Sequence, residues 1–368
     1  MTVFEDLAQE VNRAWKRHNF EDAHLPEIAV AALQARNLSE EVSVADVCQW
    51  AIDTDRFPFQ PNLNVDFGQP PLTVYSDGRL YIEILFWLDN TTSIHQHAFS
   101  GAFYVLAGSS VHSVFHFEES ERVNDRLLVG EVLLDKIEHL KQGDLHPIRS
   151  GERYIHSLFH LGYPSATVVV RNYTEPPQQP QYAYLMPSLA FDRPSVTPQM
   201  KRTADLFTMM MRIRHPETRE MLEGWLRTAD AESTFRVLHH LNTKRALSDD
   251  MLEFTTQIAI ERHGPVMEKV RDALIDKRKV DRVFSMRSRV TDEKHRLFLA
   301  LMATAPGRER VLEVVQSVYP DENPASLMFS WINDMNAAPE TALGFEDVQR
   351  LLGNGTPVAT SPVTEAAA

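Results

Sequence analysis

The sequence is short of cysteine: Cys48 is the only one in 368 residues. No disulfide can form within the chain, so a disulfide framework is excluded and a reducing compartment is expected. Positive charge is also scarce. Lys and Arg number 37 against 51 Asp and Glu, a formal net charge of −14 with His neutral. That balance argues against non-specific nucleic-acid binding and against attraction to anionic membranes. Long apolar runs are missing as well. Nothing approaches the roughly 18 consecutive apolar residues of a membrane-spanning helix. The start, Met1 to Leu7, lacks the basic and apolar regions of a secretory signal. A cytoplasmic location is expected, with no nucleic-acid or membrane partner.

What is present is ordinary for a soluble globular protein: 43% hydrophobic and 24% charged residues. The length favours two domains. Residues 2–19 read as an amphipathic helix, with Val3, Leu7, Val11 and Trp15 at helical spacing. Residues 26–36 read as a second helix and 39–43 as a turn. Ser43 is placed to cap a third helix that ends near Ile52. Four prolines between Phe57 and Leu72 predict an extended crossover from the helices onto a β-region, with residues 62–66 lining the mouth of that region.

Residues 79–116 form the centre of the chain. Arg79–Trp87 is apolar, β-branched and aromatic, and short enough for a strand. After a turn-like Leu88-Asp89-Asn90 come His95 and His97, then a second run, Phe103–Leu106, closing at Gly108. On a strand, residues i and i+2 share a face, so the two imidazoles aim at one point, as a metal site requires. Residues 111–117, 128–137 and 167–170 are further strand candidates. Short strands with turns about every ten residues predict a sandwich or barrel. Pro147 and Gly151 bracket a turn before His156, the third ligand candidate. His160 could replace it, support it or lie in the core, the last being favoured. His112 and His116 share a strand face and suit a surface or supporting role, and His146 suits a loop. Glu83 is a charge in an apolar strand. It reads as an exposed face or as a buried group near the metal, the former being preferred.

From 174 to 198 the chain is rich in Pro and Gln and reads as a linker. From 199 to 352 helical periods dominate, including separate helices at 265–276 and 279–286 and a last one at 344–352; short connections suggest a bundle or stack. Met209-Met210-Met211 reads as core and His239-His240 as a poor metal pair, since neighbours on a helix diverge. Lys277-Arg278-Lys279 with Arg282, Arg287 and Arg289 reads as a solvated basic face.

The spacing from His95-x-His97 through position 101 to Gly108 resembles the first cupin motif, and Gly143, Pro147, Gly151 and His156 approximate the second with one spacing loosened. Many cupins carry a metal-binding Glu where this chain has Gly101. A three-histidine set is similar to the cysteine dioxygenase-like thiol dioxygenases. Arg79–Trp87 followed by Thr92-Ser93-Ile94-His95-Gln96-His97 looks like their strand into His-x-His, and Arg171-Asn172-Tyr173 looks like their closing strand. The resemblance spans residues 72–177. It implies Fe(II), or else Zn, Ni, Mn or Cu, on His95, His97 and His156, and dioxygen with a small, metal-chelating, possibly thiol substrate. It implies a catalytic role for Tyr173; Arg171, which shares its strand face, is a second catalytic candidate. His160, His112, Glu83 and Tyr75 are candidates for supporting the ligands or lining the site.

The departures are specific. Arg171 and Val169 stand where that family has the His and Ser of a Ser-His-Tyr relay. Ala102 stands where some members have a cross-linking cysteine, and Pro71–Ser76 carries no arginine for a substrate carboxylate, a charge that Arg171 could supply.

The expected architecture is therefore α+β. A helical cap (1–56) precedes a cupin, or jelly-roll, β-barrel (57–177). A linker (178–198), an all-α domain (199–353) and a disordered tail (354–368) complete it. The expected function is a mononuclear non-haem iron oxygenase. The competing expectations are a non-catalytic ligand-binding cupin whose helical domain contacts a partner protein, and a structural cupin without metal whose helices mediate oligomerisation.

Overall fold

The computed structural model describes residues 1–62, 67–88, 91–173 and 180–337. The expected helix at 344–352, the tail and residues 63–66 of the expected barrel mouth lie outside the described residues.

Four helices open the chain: α1 (Thr2–Lys16), α2 (Leu25–Gln34), α3 (Leu38–Glu41) and α4 (Val44–Asp53). The expected cap on α4 is present as a reciprocal box. Asp46 N–H donates to Ser43 Oγ, and the Asp46 carboxylate accepts from the Ser43 N–H at 2.8 Å. The turn expected at 39–43 is largely the single-turn α3.

Among the described residues, eleven strands come next: β1 (Pro71–Ser76), β2 (Leu80–Trp87), β3 (His95–His97), β4 (Gly101–Ala107), β5 (Ser110–Asn124), β6 (Leu127–Leu140), β7 (Leu145–Ile148), β8 (Gly151–His160), β9 (Ser165–Asn172), β10 (Tyr182–Leu185) and β11 (Leu189–Asp192). They form an antiparallel sheet β1-β2-β9-β4-β7 and a second set β10-β11-β6-β5-β8-β3 that closes on itself. The result is a jelly-roll barrel with helices at both ends of the chain, as expected.

The sheet's outer face is buried under the N-terminal helices. Phe4, Leu7, Val11 and Trp15 pack with Leu80, Ile82 and Ile84 of β2 and with Val168 and Val170 of β9. Every residue of β2 is therefore buried: even positions meet the cap and odd positions face the barrel interior. A strand covered on both faces loses its polar alternation, which is why β2 reads as one apolar run.

Residues 178–198 are not only a connection. Tyr182–Leu185 and Leu189–Asp192 form a hairpin that closes the barrel, with β10 pairing Ala183 with His95 and β11 pairing with β6. Prolines confined to the flanks and the hairpin turn leave both short strands free to donate to the ladder.

The remaining helices are α5 (Pro198–Arg212), α6 (Thr218–Leu226), α7 (Ala231–Thr243), α8 (Asp249–His263), α9 (Pro265–Met286), α10 (Glu293–Thr304), α11 (Arg308–Val318) and α12 (Pro324–Asn336). Two helices expected at 265–276 and 279–286 are one, α9. No Gly or Pro interrupts 266–286, so nothing breaks the backbone ladder. These helices share their cores with the barrel. Leu127, Leu189 and Phe191 join the cluster of α5 to α9. Val111, Phe159 and Leu161 join that of α9 to α12.

Buried arginines tie the same junction. Arg296 Nη1 donates to the Leu161 carbonyl (2.8 Å), and Arg287 Nε donates to that of His160 (2.9 Å). Arg287 is fully buried and Lys277 only 17% exposed, so the basic cluster at 277–289 is not a uniform solvated face. No helix among the described residues is long and apolar enough to cross a membrane.

Candidate metal centre

His95 and His97 lie on β3 and His156 on β8, directly across from it. The three rings are buried, and one nitrogen from each lies within 4.8 Å of the other two. Nε2 of His97 is 2.9 Å from Nε2 of His156. Two ligands about 2.1 Å from one metal at a right angle sit roughly 3.0 Å apart, so this spacing suits a shared ion.

The ring orientations agree with that reading. The His95 Nδ1–H donates to the Ser93 carbonyl at 2.7 Å, which leaves Nε2 as the lone-pair nitrogen. That Nε2 is buried and has no hydrogen-bond partner. Burial pushes His95 down to about 4, and holds His97 and His156 well below the ordinary histidine range. All three are neutral at pH 7, the state that ligates a metal.

His156 is held from behind. Its Nδ1 lies 3.2 Å from Nε2 of His112, and His112 Nδ1 lies 3.0 Å from Glu138 Oε1. The carboxylate can only accept, so the proton sits on His112 Nδ1, and His156 Nδ1–H donates to His112. That tautomer frees the inward-facing Nε2 of His156. Tyr154 Oη also approaches His112 Nε2 at 3.0 Å. Hydrogen bonds and nearby histidines outweigh burial and pull Glu138 down to about 2.

His112, Glu138 and His146 themselves form a second cluster of possible ligands. Its use would remove the proton from His112 Nδ1 while Nε2 still faces His156. With one ring proton to place, His112 serves one cluster at a time. His116, expected on the same strand face as His112, lies where β5 runs out past the barrel. It is 47% exposed and bonds Asp135 at 2.6 Å.

A cavity of about 30 Å³ opens beside the three histidines. Its walls are mostly apolar, among them Leu85, Trp87, Phe99, Phe103 and Leu158. Glu83 and Arg171 also line it. The preferred exposed reading of Glu83 is thus overturned: the residue is 1% exposed, because the helical cap covers the other face of its strand. Arg171 Nη1 donates to Glu83 Oε1 at 3.4 Å, and Asn62 Nδ2 donates to Oε2 at 2.6 Å. The Arg171 guanidinium lies over Phe99, 3.1 Å from the ring centroid.

Other expected residues fall elsewhere. Tyr173 does not line the cavity. Its hydroxyl bonds Ser76 Oγ at 2.8 Å and its ring lies against Tyr81. Tyr75 is on the outer face of β1 with the cap cluster, bonded to Asp77 at 3.1 Å, and does not reach the site. His160 is a core histidine, as expected: Nδ1 meets Ser110 Oγ at 2.9 Å and the ring stacks on Trp87 at 4.5 Å.

Gly101 carries no side chain for a geometric reason. A Cβ built there would meet the Val170 carbonyl oxygen at 2.0 Å. Gly108 has φ +77° in the turn into β5, as its place in the motif anticipates.

Glu138 and Tyr154 were not anticipated. The turn at Asp125-Arg126 joins β5 and β6 as an antiparallel hairpin, but His112 comes opposite Glu138 only through the irregularities along that ladder, which the sequence does not show. The approach of Tyr154 depends on the barrel.

No protein-family model matches this chain, and no curated protein does. Solved structures with a similar portion include a cupin-2 domain protein from Shewanella frigidimarina. It is 11% identical, with 36% of this chain and 94% of that one covered at a TM-score of 0.22. A hydroquinone 1,2-dioxygenase from a Sphingomonas species, with 4-hydroxybenzoate bound, is 12% identical. There 31% of this chain and 72% of that one are covered at a TM-score of 0.24. A cupin superfamily protein from Desulfitobacterium hafniense is 14% identical over 33% of this chain and 94% of that one, at 0.20.

Proposed function

We propose that this chain is a cupin-type mononuclear metal enzyme in which His95, His97 and His156 hold Fe(II) for oxygenation of a small substrate. The observation that carries the reading is the convergence of three buried, neutral imidazoles on a cavity that also contains a charged pair. An all-imidazole set suits Fe(II) and accepts Zn, Ni, Mn or Cu. The bound metal would supply a Lewis-acidic, redox-capable centre at which substrate and dioxygen meet.

The chain's own residues supply the rest. Arg171 presents N–H donors to a polar head on the substrate, and Glu83 and Phe99 hold the guanidinium in place. The apolar walls exclude water and strengthen those contacts. Glu138 and His112 keep the His156 proton on Nδ1. Tyr173 acts at one remove, through its packing on Tyr81. A cavity of about 30 Å³ holds one or two waters, so a larger substrate requires side-chain movement. A thiol is the substrate the sequence resemblance favours; the Glu83–Arg171 pair suits any small molecule with a hydrogen-bonding head.

One observation favours a ligand-binding module instead. Val169 and Arg171 replace the relay residues, and Tyr173 is outside the cavity.

Elemental analysis of purified protein and of a His95→Ala/His97→Ala variant, followed by dioxygen-uptake assays with thiols and other small chelators, separates the two. About one iron per chain, lost in the variant, together with substrate-dependent uptake supports the enzyme. No metal in either protein after anaerobic Fe(II) reconstitution overturns it and leaves the binding module.

A further inference from the structure

The segment that carries His95 has a second side. Thr92 lines the metal cavity, but Ser93 lines a separate cavity of about 350 Å³ between the β10–β11 hairpin and helices α5, α7 and α9. Its ionisable lining is cationic or imidazole: Arg193, Lys201, Arg236, Lys277, His239 and His240. No Asp or Glu is among the described residues that line it. In a chain of net charge −14, composition does not account for that convergence.

The carboxylates that balance these cations lie outside the lining. Asp205 meets Lys201 at 2.5 Å and His240 at 3.2 Å, Asp281 meets Lys277 at 2.6 Å, and Glu232 meets Arg236 at 3.4 Å. One buried cationic N–H is left over. Arg236 is 6% exposed, and its Nε has no hydrogen-bond partner. The His239 ring also faces the cavity, packed on Phe191 and Phe235. Arg193 is exposed at the edge of the same cavity. A buried arginine N–H without an acceptor is costly, and a carboxylate or phosphate oxygen is the acceptor its planar fork fits. Phe191, Leu185 and Met200 supply apolar wall beside them.

We propose that this cavity binds a small organic anion, a carboxylate or phosphate head on an apolar body. The inference does not rest on the metal reading. It bears on it, because the Ser93 carbonyl in the shared wall fixes the ring of His95.

The test is calorimetric titration of the full chain with phenyl phosphate, benzoate and inorganic phosphate, using the parent, Arg193→Glu, Lys277→Met and His97→Ala. One phenyl phosphate or benzoate per chain is expected, binding more tightly than inorganic phosphate; the tighter of the two identifies the head group. Either cation substitution should weaken binding roughly tenfold or more, the loss of one charge-assisted contact, while His97→Ala leaves it unchanged. Circular dichroism checks that each variant is folded. The proposal is overturned if none of the probes binds the folded parent at millimolar concentration. It is overturned equally if folded Arg193→Glu and Lys277→Met both bind as the parent does, or if His97→Ala alone abolishes binding.

Discussion

His156 Nδ1 and His112 Nε2 are 3.2 Å apart, and the Glu138 carboxylate on the far side of His112 decides which of them carries the proton. Replacing Glu138 by Gln removes the charge that holds this order. Metal affinity at His95, His97 and His156 should fall about 10- to 100-fold, the usual cost of losing an orienting partner behind a ligand. Competition with a chelating dye measures it. An affinity equal to the parent's would show that His112 does not direct His156.

Glu83 and Arg171 form a buried pair inside the barrel, with side chains 2% and 14% exposed. Removing one partner leaves an uncompensated charge, so Glu83→Gln or Arg171→Met should cost about 3–5 kcal/mol. The double replacement should cost less than the sum of the two. Urea denaturation of the four proteins gives the coupling, and simple additivity would mean the pair does not act as a unit.

Gly101→Glu would place a carboxylate beside His95 and His97, where the motif this sequence resembles often carries a metal-binding Glu. Here the new Cβ collides with backbone, not with a flexible side chain, because β4 pairs closely with β9. The variant should lose about 1–3 kcal/mol or more through overpacking and gain no metal affinity. A stable variant with tighter metal binding would contradict this geometry.

Acid should destabilise the metal-free protein well above the carboxylate range. Burial pushes His95 and His146 down to about 4 and His239 down to about 3. The unfolded chain binds protons on these groups near 6.5, before the folded one does. Their stabilisation is thus complete above about 6.5 and is lost as pH falls towards the folded values, by up to about 1.4 kcal/mol per pH unit for each group. Denaturation of chelator-treated protein at pH 7, 6 and 5 reads the slope. His146→Gln should flatten it, and a flat parent curve would refute the assignment.

Much of the barrel was legible because its signals are local. Leu80–Trp87 and Gly101–Ala107 are β-branched and aromatic runs, Gly108 is a turn that needs positive φ, and His95-x-His97 puts two rings on one face whatever pairs with them. The β10–β11 hairpin was not legible. Its strands are four residues each, too short for a periodic signal, and prolines flank them. Glu83 was misread because alternation shows which residues share a face, not what covers each face.

The sequence by itself determined the local conformations and the types of donor available: strands, helix caps and imidazoles two residues apart. The tertiary structure alone decided which donors meet. His156 comes from a strand about sixty residues further on, Glu138 is reached only through a folded hairpin, and Arg171 becomes a lining residue only once β9 lies between β2 and β4. The physical reason is that sidedness along a strand is set by covalent geometry, whereas burial and partnership depend on what the rest of the chain packs against it.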